Sequence, residues 1–242
     1  MPQETSGQSE SFEGKVALVT GASRGIGAAI AEALARWGAQ VIATARSLDP
    51  LAELQQRFPQ IHPHVCDVRN PGSISALFDD IQRRFNHLDI LINNAGVIHP
   101  FAPVDQLDPQ VWHEVIATNL TGMFLVTHSA LHLMSAGASI VNNLSIAAKG
   151  VFAGESAYCA SKHGGLGFTN TLREELRPKG IRVIALIPGP TSTEIWNQFW
   201  PDAPREKMMA PETVARAVVN ALLLPANSTV EELVLAPTAG TL

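Results

Sequence analysis

The chain holds one tyrosine and two cysteines in 242 residues, and only 16% of its residues are charged. Cys66 and Cys159 are too few and too far apart for a zinc pattern or a disulfide framework, so both read as reduced thiols of a cytoplasmic protein. No apolar run reaches the roughly 18 residues that a membrane-crossing helix needs. No linker rich in proline, glycine and serine divides the sequence, which argues against two separate domains. A formal net charge of −5 gives no basic footprint, so nucleic acid is not an expected partner. Residues 1–12, MPQETSGQSESF, are polar and lack the apolar centre of a signal peptide; they read as a flexible tail before a single domain over 13–242. Histidines are more plentiful, but neither His62 with His64 nor His128 with His132 comes with a third ligand or an H-E-x-x-H pattern. They read as structural or surface residues, and no metal is expected.

What is present is alternation. KVALVT (15–20) is a short β-branched run that stops at Gly21, followed by a glycine-punctuated turn and a helical stretch ending at Gly38. Strands follow at 40–46 and 61–68, the second carrying Pro63, which suits a sheet edge where a missing N–H costs little. Helices over 50–58 and 72–85 lead to the strand DILINN, and a long helix near 107–134 leads to SIVNNLS. A helix over 156–177, the strand IRVIALI, a helix near 211–224 and the strand VEELVLAP complete the order. Strand–helix alternation of this kind predicts an α/β fold: one Rossmann-type doubly wound parallel sheet of about seven strands, with helices on both faces. Ligands then bind at the carboxyl ends of the strands, where the strand order reverses.

The turn TGASRGIG places Gly21, Gly25 and Gly27 between the first strand and first helix, where bare backbone can approach a pyrophosphate. Its spacing is G-x-x-x-G-x-G, and the same glycines also suit a βα turn without a ligand. At the end of the second strand, where an NAD site usually places an acid, stand Ala45 and Arg46, while Arg24 lies inside the turn. Either both arginines are solvated surface charges, or they meet a ribose 2′-phosphate and select NADP(H).

Tyr158 and Lys162 are one helical turn apart on a common face. A phenol near pKa 10 is a poor acid–base catalyst at neutral pH, and an adjacent ammonium lowers that value. Ser145 ends an apolar strand, so its hydroxyl is expected at the carboxyl edge of the sheet, either as a turn residue or facing the same site.

TGASRGIG, NNAG (93–96), Asn119 in ATNLTG, Ser145, and YCASK (158–162) thirteen residues beyond that serine together resemble the classical short-chain dehydrogenase/reductase family over roughly residues 14 to 240. The resemblance implies hydride transfer between NADP(H) and a carbonyl or alcohol substrate, of the ketone, aldehyde or 3-oxoacyl reductase type. It implies Tyr158 as acid/base, Ser145 as hydrogen-bond donor to the carbonyl, Lys162 as ribose ligand and tuner of Tyr158, and Asn119 as holder of a water in a proton relay. Cofactor contacts implied are Gly21, Ser23, Arg24, Gly25, Ile26 and Gly27 in the turn, Arg46, Asp67 and Val68, and Asn93, Ala95 and Gly96. Lys162 and the segment with Pro188, Gly189, Thr191 and Thr193 complete the set. The family also implies a homotetramer or homodimer formed by the helices near 107–134 and 156–177. A rival reading on the same fold is an NADP(H)-binding sensor or scaffold without turnover.

The chain departs from the family pattern at its end, LVLAPTAGTL, where a Gly-Gly pair is usual. Trp196, Phe199 and Trp200 crowd a segment that reads either as an apolar substrate lid or as a short helix docked to the body. Phe152 and Glu155 are further candidates to face the substrate.

Overall fold

The computed structural model describes residues 11–240. Seven parallel strands, β1 (Val16–Thr20), β2 (Gln40–Ala45), β3 (Ile61–Val65), β4 (Ile90–Asn93), β5 (Ser139–Asn143), β6 (Arg182–Pro188) and β7 (Glu232–Leu235), form one sheet among the described residues. Their order is β3-β2-β1-β4-β5-β6-β7, so the direction of winding reverses between β1 and β4. Pro63 lies on the edge strand β3, opposite Ala43, where its missing N–H breaks no ladder beyond the pair.

The helices are α1 (Gly25–Arg36), α2 (Asp49–Arg57), α3 (Pro71–Arg84), α4 (Pro109–Ile116), α5 (Gly122–Ala130), α6 (Ser156–Leu176), α7 (Trp196–Phe199) and α8 (Pro211–Leu222). They cover both faces because successive residues of a buried parallel strand point to opposite sides. Ala17 and Val19 of β1 join the core shared with α1 and α8, while Val16 and Leu18 join the core shared with α3, α5 and α6. Fully buried Leu18 and Ile30 each contribute about 2 kcal/mol of apolar transfer energy.

The long helix expected near 107–134 is interrupted. Between α4 and α5, residues Ala117–Thr121 form a π turn, and the helix ends at Ala130. A π turn widens the helix locally and re-aims its side chains; here it turns Asn119 inward, where it is 1% exposed. On the outer side, Trp112 and Phe124 stay exposed, with Phe124 edge-on to Phe168 of α6 at 6.1 Å. Of the tail expected over 1–12, residues 1–10 lie outside the described residues. Its last residue is no tail: Phe12 is buried, and its N–H donates to the Trp37 carbonyl at 2.7 Å. No helix among the described residues is long and apolar enough to cross a membrane, and none of their His, Cys, Asp or Glu side chains cluster in threes to hold a metal ion.

Candidate active site

A cleft of about 480 Å³ opens along the carboxyl edge of the sheet, at the reversal between β1 and β4. All the residues expected at the site line it except Asp67, Asn93 and Asn119.

One end is shaped by the turn after β1. Helices α3 and α4 are capped by side chains: Asn70 accepts from the N–H of Gly72 and Ser73 at 2.9 and 3.2 Å, and Asp108 accepts from Gln110 N–H at 2.8 Å. Helix α1, like α2, α6 and α8, has no such cap. Its N-cap is Arg24, which supplies no side-chain cap, and its first turn contains no acid. Its first N–H groups and the positive end of its dipole therefore face the cleft ready for an anion. The turn also has no room for side chains. Gly21 has φ +64°, and a Cβ there would stand 2.8 Å from Ala95 Cα; at Gly27 it would meet Asn94 Nδ2 at 2.3 Å and the Gly21 carbonyl oxygen at 2.4 Å. An uncapped helix start behind a bare-backbone cradle fits a dinucleotide pyrophosphate.

The NNAG segment makes that cradle rigid through Asn94, a residue sequence reasoning did not separate from its neighbour. Asn94 Nδ2 donates to the carbonyls of Thr20 and Gly21 at 2.9 and 3.1 Å, and its Oδ1 accepts from Asn143 Nδ2 at 2.8 Å. Thr20 Oγ1 accepts in turn from the N–H groups of Asn94 and Ala95. Asn93 points the other way. Its Nδ2 donates at 2.8 Å to both Thr127 Oγ1 and Asn142 Oδ1, inside the protein. Its side chain is a core strut and does not line the cleft.

Asp67 is likewise turned away. Both of its oxygens are held by Arg69, with Nε to Oδ1 at 3.0 Å and Nη2 to Oδ2 at 2.7 Å. The Arg69 guanidinium keeps the carboxyl below its ordinary range. Arg69, not Asp67, lines the cleft beside Arg24 and Arg46, and Ala45 ends β2 without a carboxylate. Arg69 escaped sequence reasoning because nothing local in DVRNP tells which side chain faces outward.

At the other end, Ser145 follows β5 and Tyr158 and Lys162 project from the first turns of α6. Ser145 Oγ accepts from Ala147 N–H at 3.1 Å, so the serine does cap a turn, and its hydroxyl lies beside the Tyr158 phenol, favouring the phenolate. Lys162 is buried, donates from Nζ to the Asn143 carbonyl at 3.1 Å, and stands 5.5 Å from the centre of the Tyr158 ring. Burial pulls the Lys162 ammonium down to about 8. The phenol is not lowered, as its lysine neighbour suggested. Burial pushes it up to about 12, with the Ser145 hydrogen bond acting the other way and the Glu155 carboxylate adding to the rise. Desolvation is the largest influence on the phenol, above the Ser145 hydroxyl that acts against it.

Asn119 lies behind this group. Its Nδ2 donates to the Val97 carbonyl at 2.9 Å and Ser161 Oγ at 3.0 Å, and its Oδ1 accepts from Val97 N–H at 2.8 Å. With both amide hydrogens committed, the side chain braces the 97 loop against α6. Walls on the substrate side come from Phe152, Phe101, Trp196 and Phe199. Trp196 stacks on Phe199 at 4.8 Å and donates from Nε1 to the Thr191 carbonyl at 2.8 Å, so the aromatic segment is both docked to the body and part of the cleft wall.

Residues 15–204 match the family described as short chain dehydrogenase. The chain belongs to that family. Among short chain dehydrogenases it is 39% identical over 200 residues to the D-threitol dehydrogenase of Mycolicibacterium smegmatis, covering 80% of this chain and 76% of the relative. The alcohol dehydrogenase of Thermococcus sibiricus, solved with 5-hydroxy-NADP, superposes with a TM-score of 0.86 at 30% identity, covering 93% of this chain and 97% of that one. The 3-ketoacyl-(acyl-carrier-protein) reductase of Brucella melitensis, solved with NADH, gives a TM-score of 0.86 at 26% identity, covering 95% and 99%. This short chain dehydrogenase is an oxidoreductase that moves a hydride between a nicotinamide cofactor and a carbonyl or alcohol.

Proposed function

We propose that this short chain dehydrogenase uses NADP(H) to interconvert a ketone or aldehyde and its alcohol, with Tyr158 as the acid/base. The observation that carries the reading is the single cleft: phenol, Ser145 hydroxyl and Lys162 at one end, Arg24 and Arg46 with no facing acid after β2 at the other. A bound nicotinamide supplies or accepts the hydride. Everything else is work for the chain. The Ser145 hydroxyl orients the carbonyl oxygen toward the Tyr158 phenol, which gives up its proton as the oxygen becomes charged. The phenolate left behind is favoured by that same hydroxyl and by the Lys162 ammonium. With a pKa pulled down to about 8, Lys162 can also pass a proton on near neutral pH.

The Thermococcus relative carries an NADP derivative, whereas the Brucella relative carries NADH, so the fold accepts either and the arginines make the choice. Each guanidinium–phosphate contact contributes about 1.5–3 kcal/mol. Steady-state kinetics with one ketone and both cofactors test this. NADPH is expected to exceed NADH by roughly a hundredfold in kcat/KM, and Arg46→Ala to remove roughly tenfold of that preference. Equal kcat/KM for the two cofactors in the unaltered protein would overturn the NADP(H) assignment.

A further inference from the structure

Glu155 stands directly before α6, and nothing in the reaction just described uses it. It occupies the N-cap position, yet its side chain does not cap the helix. The residue is 6% exposed, and burial alone pushes its carboxyl up, with no hydrogen bond or ion pair offsetting the rise. Its oxygens are not among the sealed unpartnered atoms of the core, and the residue lines the cleft, so the carboxylate looks into the cleft. A buried carboxylate without a donor is costly, and an apolar side chain in the same place would remove that cost.

The groups that face it do not supply a donor. Lys162 is already bonded to the Asn143 carbonyl, and the Ser145 hydroxyl lies beside the phenol. Arg205, which follows the aromatic segment, donates to the Thr193 carbonyl and to Asn197 Oδ1. Cys159 adds no positive charge. The other walls are the rings of Phe101, Phe152, Trp196 and Phe199. An anionic substrate would meet the Glu155 carboxylate, whereas a hydroxylated carbon chain can lay its C–H faces on the rings and turn its O–H groups to it.

We infer that Glu155 selects carbonyl compounds bearing a hydroxyl group next to the carbonyl, accepting that O–H while the carbonyl oxygen faces Tyr158 and Ser145. The inference rests on the Tyr158 reading above and names its substrate class.

Three ketones of matched size separate the outcomes with NADPH: 1-hydroxy-2-butanone, its methyl isostere 3-pentanone, and 1-amino-2-butanone. A hydrogen bond to a charged acceptor gives a preference for the hydroxyketone over 3-pentanone of roughly tenfold or more in kcat/KM. Glu155→Leu should bring that ratio close to one, and Glu155→Gln, which keeps one acceptor oxygen, should leave a ratio of about threefold. The isosteric glutamine variant guards against a leucine variant that folds poorly, with the melting temperature of each as the control. A wild-type ratio near one with both ketones reduced, or the same ratio in wild type and Glu155→Leu, would overturn the inference and leave the Tyr158 reading standing. Preference for the aminoketone would overturn it in favour of a cation site. No reduction of any of the three by a protein that binds NADPH would overturn both.

Discussion

At the nucleotide end of the cleft the wall is mostly backbone: the turn of Gly21 to Gly27, the uncapped start of α1, and the carbonyls that Asn94 holds in place. At the carbonyl end the wall is side chain, drawn from the 97–101 loop, the first turns of α6 and the segment around α7. Backbone cradles tolerate almost no substitution, because a single Cβ collides. A side-chain wall can be rebuilt residue by residue while the fold stays the same. That difference accounts for relatives of one fold that act on threitol in one case and on a 3-ketoacyl group in another.

The comparison breaks most sharply at Tyr158. Tyr158→Phe keeps the ring and its packing but removes the proton, so ketone reduction should fall by roughly a hundredfold to ten-thousandfold in kcat. NADPH affinity, read by fluorescence titration, should stay within about twofold, because the nucleotide end is untouched. The pH dependence sharpens the same point. With the phenol raised toward about 12 by burial, its proton is in place throughout the neutral range, so reduction at saturating NADPH should be nearly level there. Alcohol oxidation needs the phenolate and should rise with pH over the same range; both patterns should be lost in the phenylalanine variant. The raised value also means that the folded state keeps this proton longer than the unfolded chain does. The stability it contributes is present below the unfolded value near 10 and is lost as pH climbs through about 12. Equal loss of NADPH affinity and turnover would show that the two ends are not separable.

A second break comes from the other side. Gly27→Ala adds a Cβ at 2.3 Å from Asn94 Nδ2 and 2.4 Å from the Gly21 carbonyl oxygen. Alanine is the better helix former by about 1 kcal/mol, but overpacking against backbone costs about 1–3 kcal/mol and should prevail. NADPH should bind roughly tenfold more weakly, with a lower melting temperature. Unchanged affinity would mean that the turn does not hold the cofactor as tightly as its geometry requires.

These two ends were not equally legible in the sequence. The glycine turn is local: strand, three glycines and helix within TGASRGIG are enough to place it, because the chemistry is in the backbone. The alternation of strands and helices and the edge position of Pro63 were legible for the same reason, each resting on neighbouring residues. Ser145, Tyr158 and Lys162 were found through their spacing and a family pattern. The direction of the Tyr158 shift was not, since burial is set by the folded surroundings. Nor could spacing show that Arg69 takes the Asp67 carboxylate, or that Asn119 sits in a π turn with its amide committed to Val97 and Ser161. Neighbouring side chains of one motif can face opposite sides of a wall, and only the fold decides which.

Asn93 and Asn94 are that case, and they give the smallest expected effect on function. Asn94 belongs to the cradle, whereas Asn93 ties β4 to α5 and β5 through Thr127 and Asn142, with Asn142 in turn donating to Thr169 of α6 at 2.9 Å. Asn93→Ala would leave Thr127 Oγ1 and Asn142 Oδ1 without that donor in the interior, a loss of about 1–3 kcal/mol. Chemical denaturation should therefore show a lower midpoint with an unchanged slope. NADPH affinity and turnover should move by no more than about twofold, since no atom of the Asn93 side chain reaches the cleft. A variant of unaltered stability that binds NADPH about tenfold more weakly would return Asn93 to the cofactor site and erase the line drawn here between cradle and scaffold.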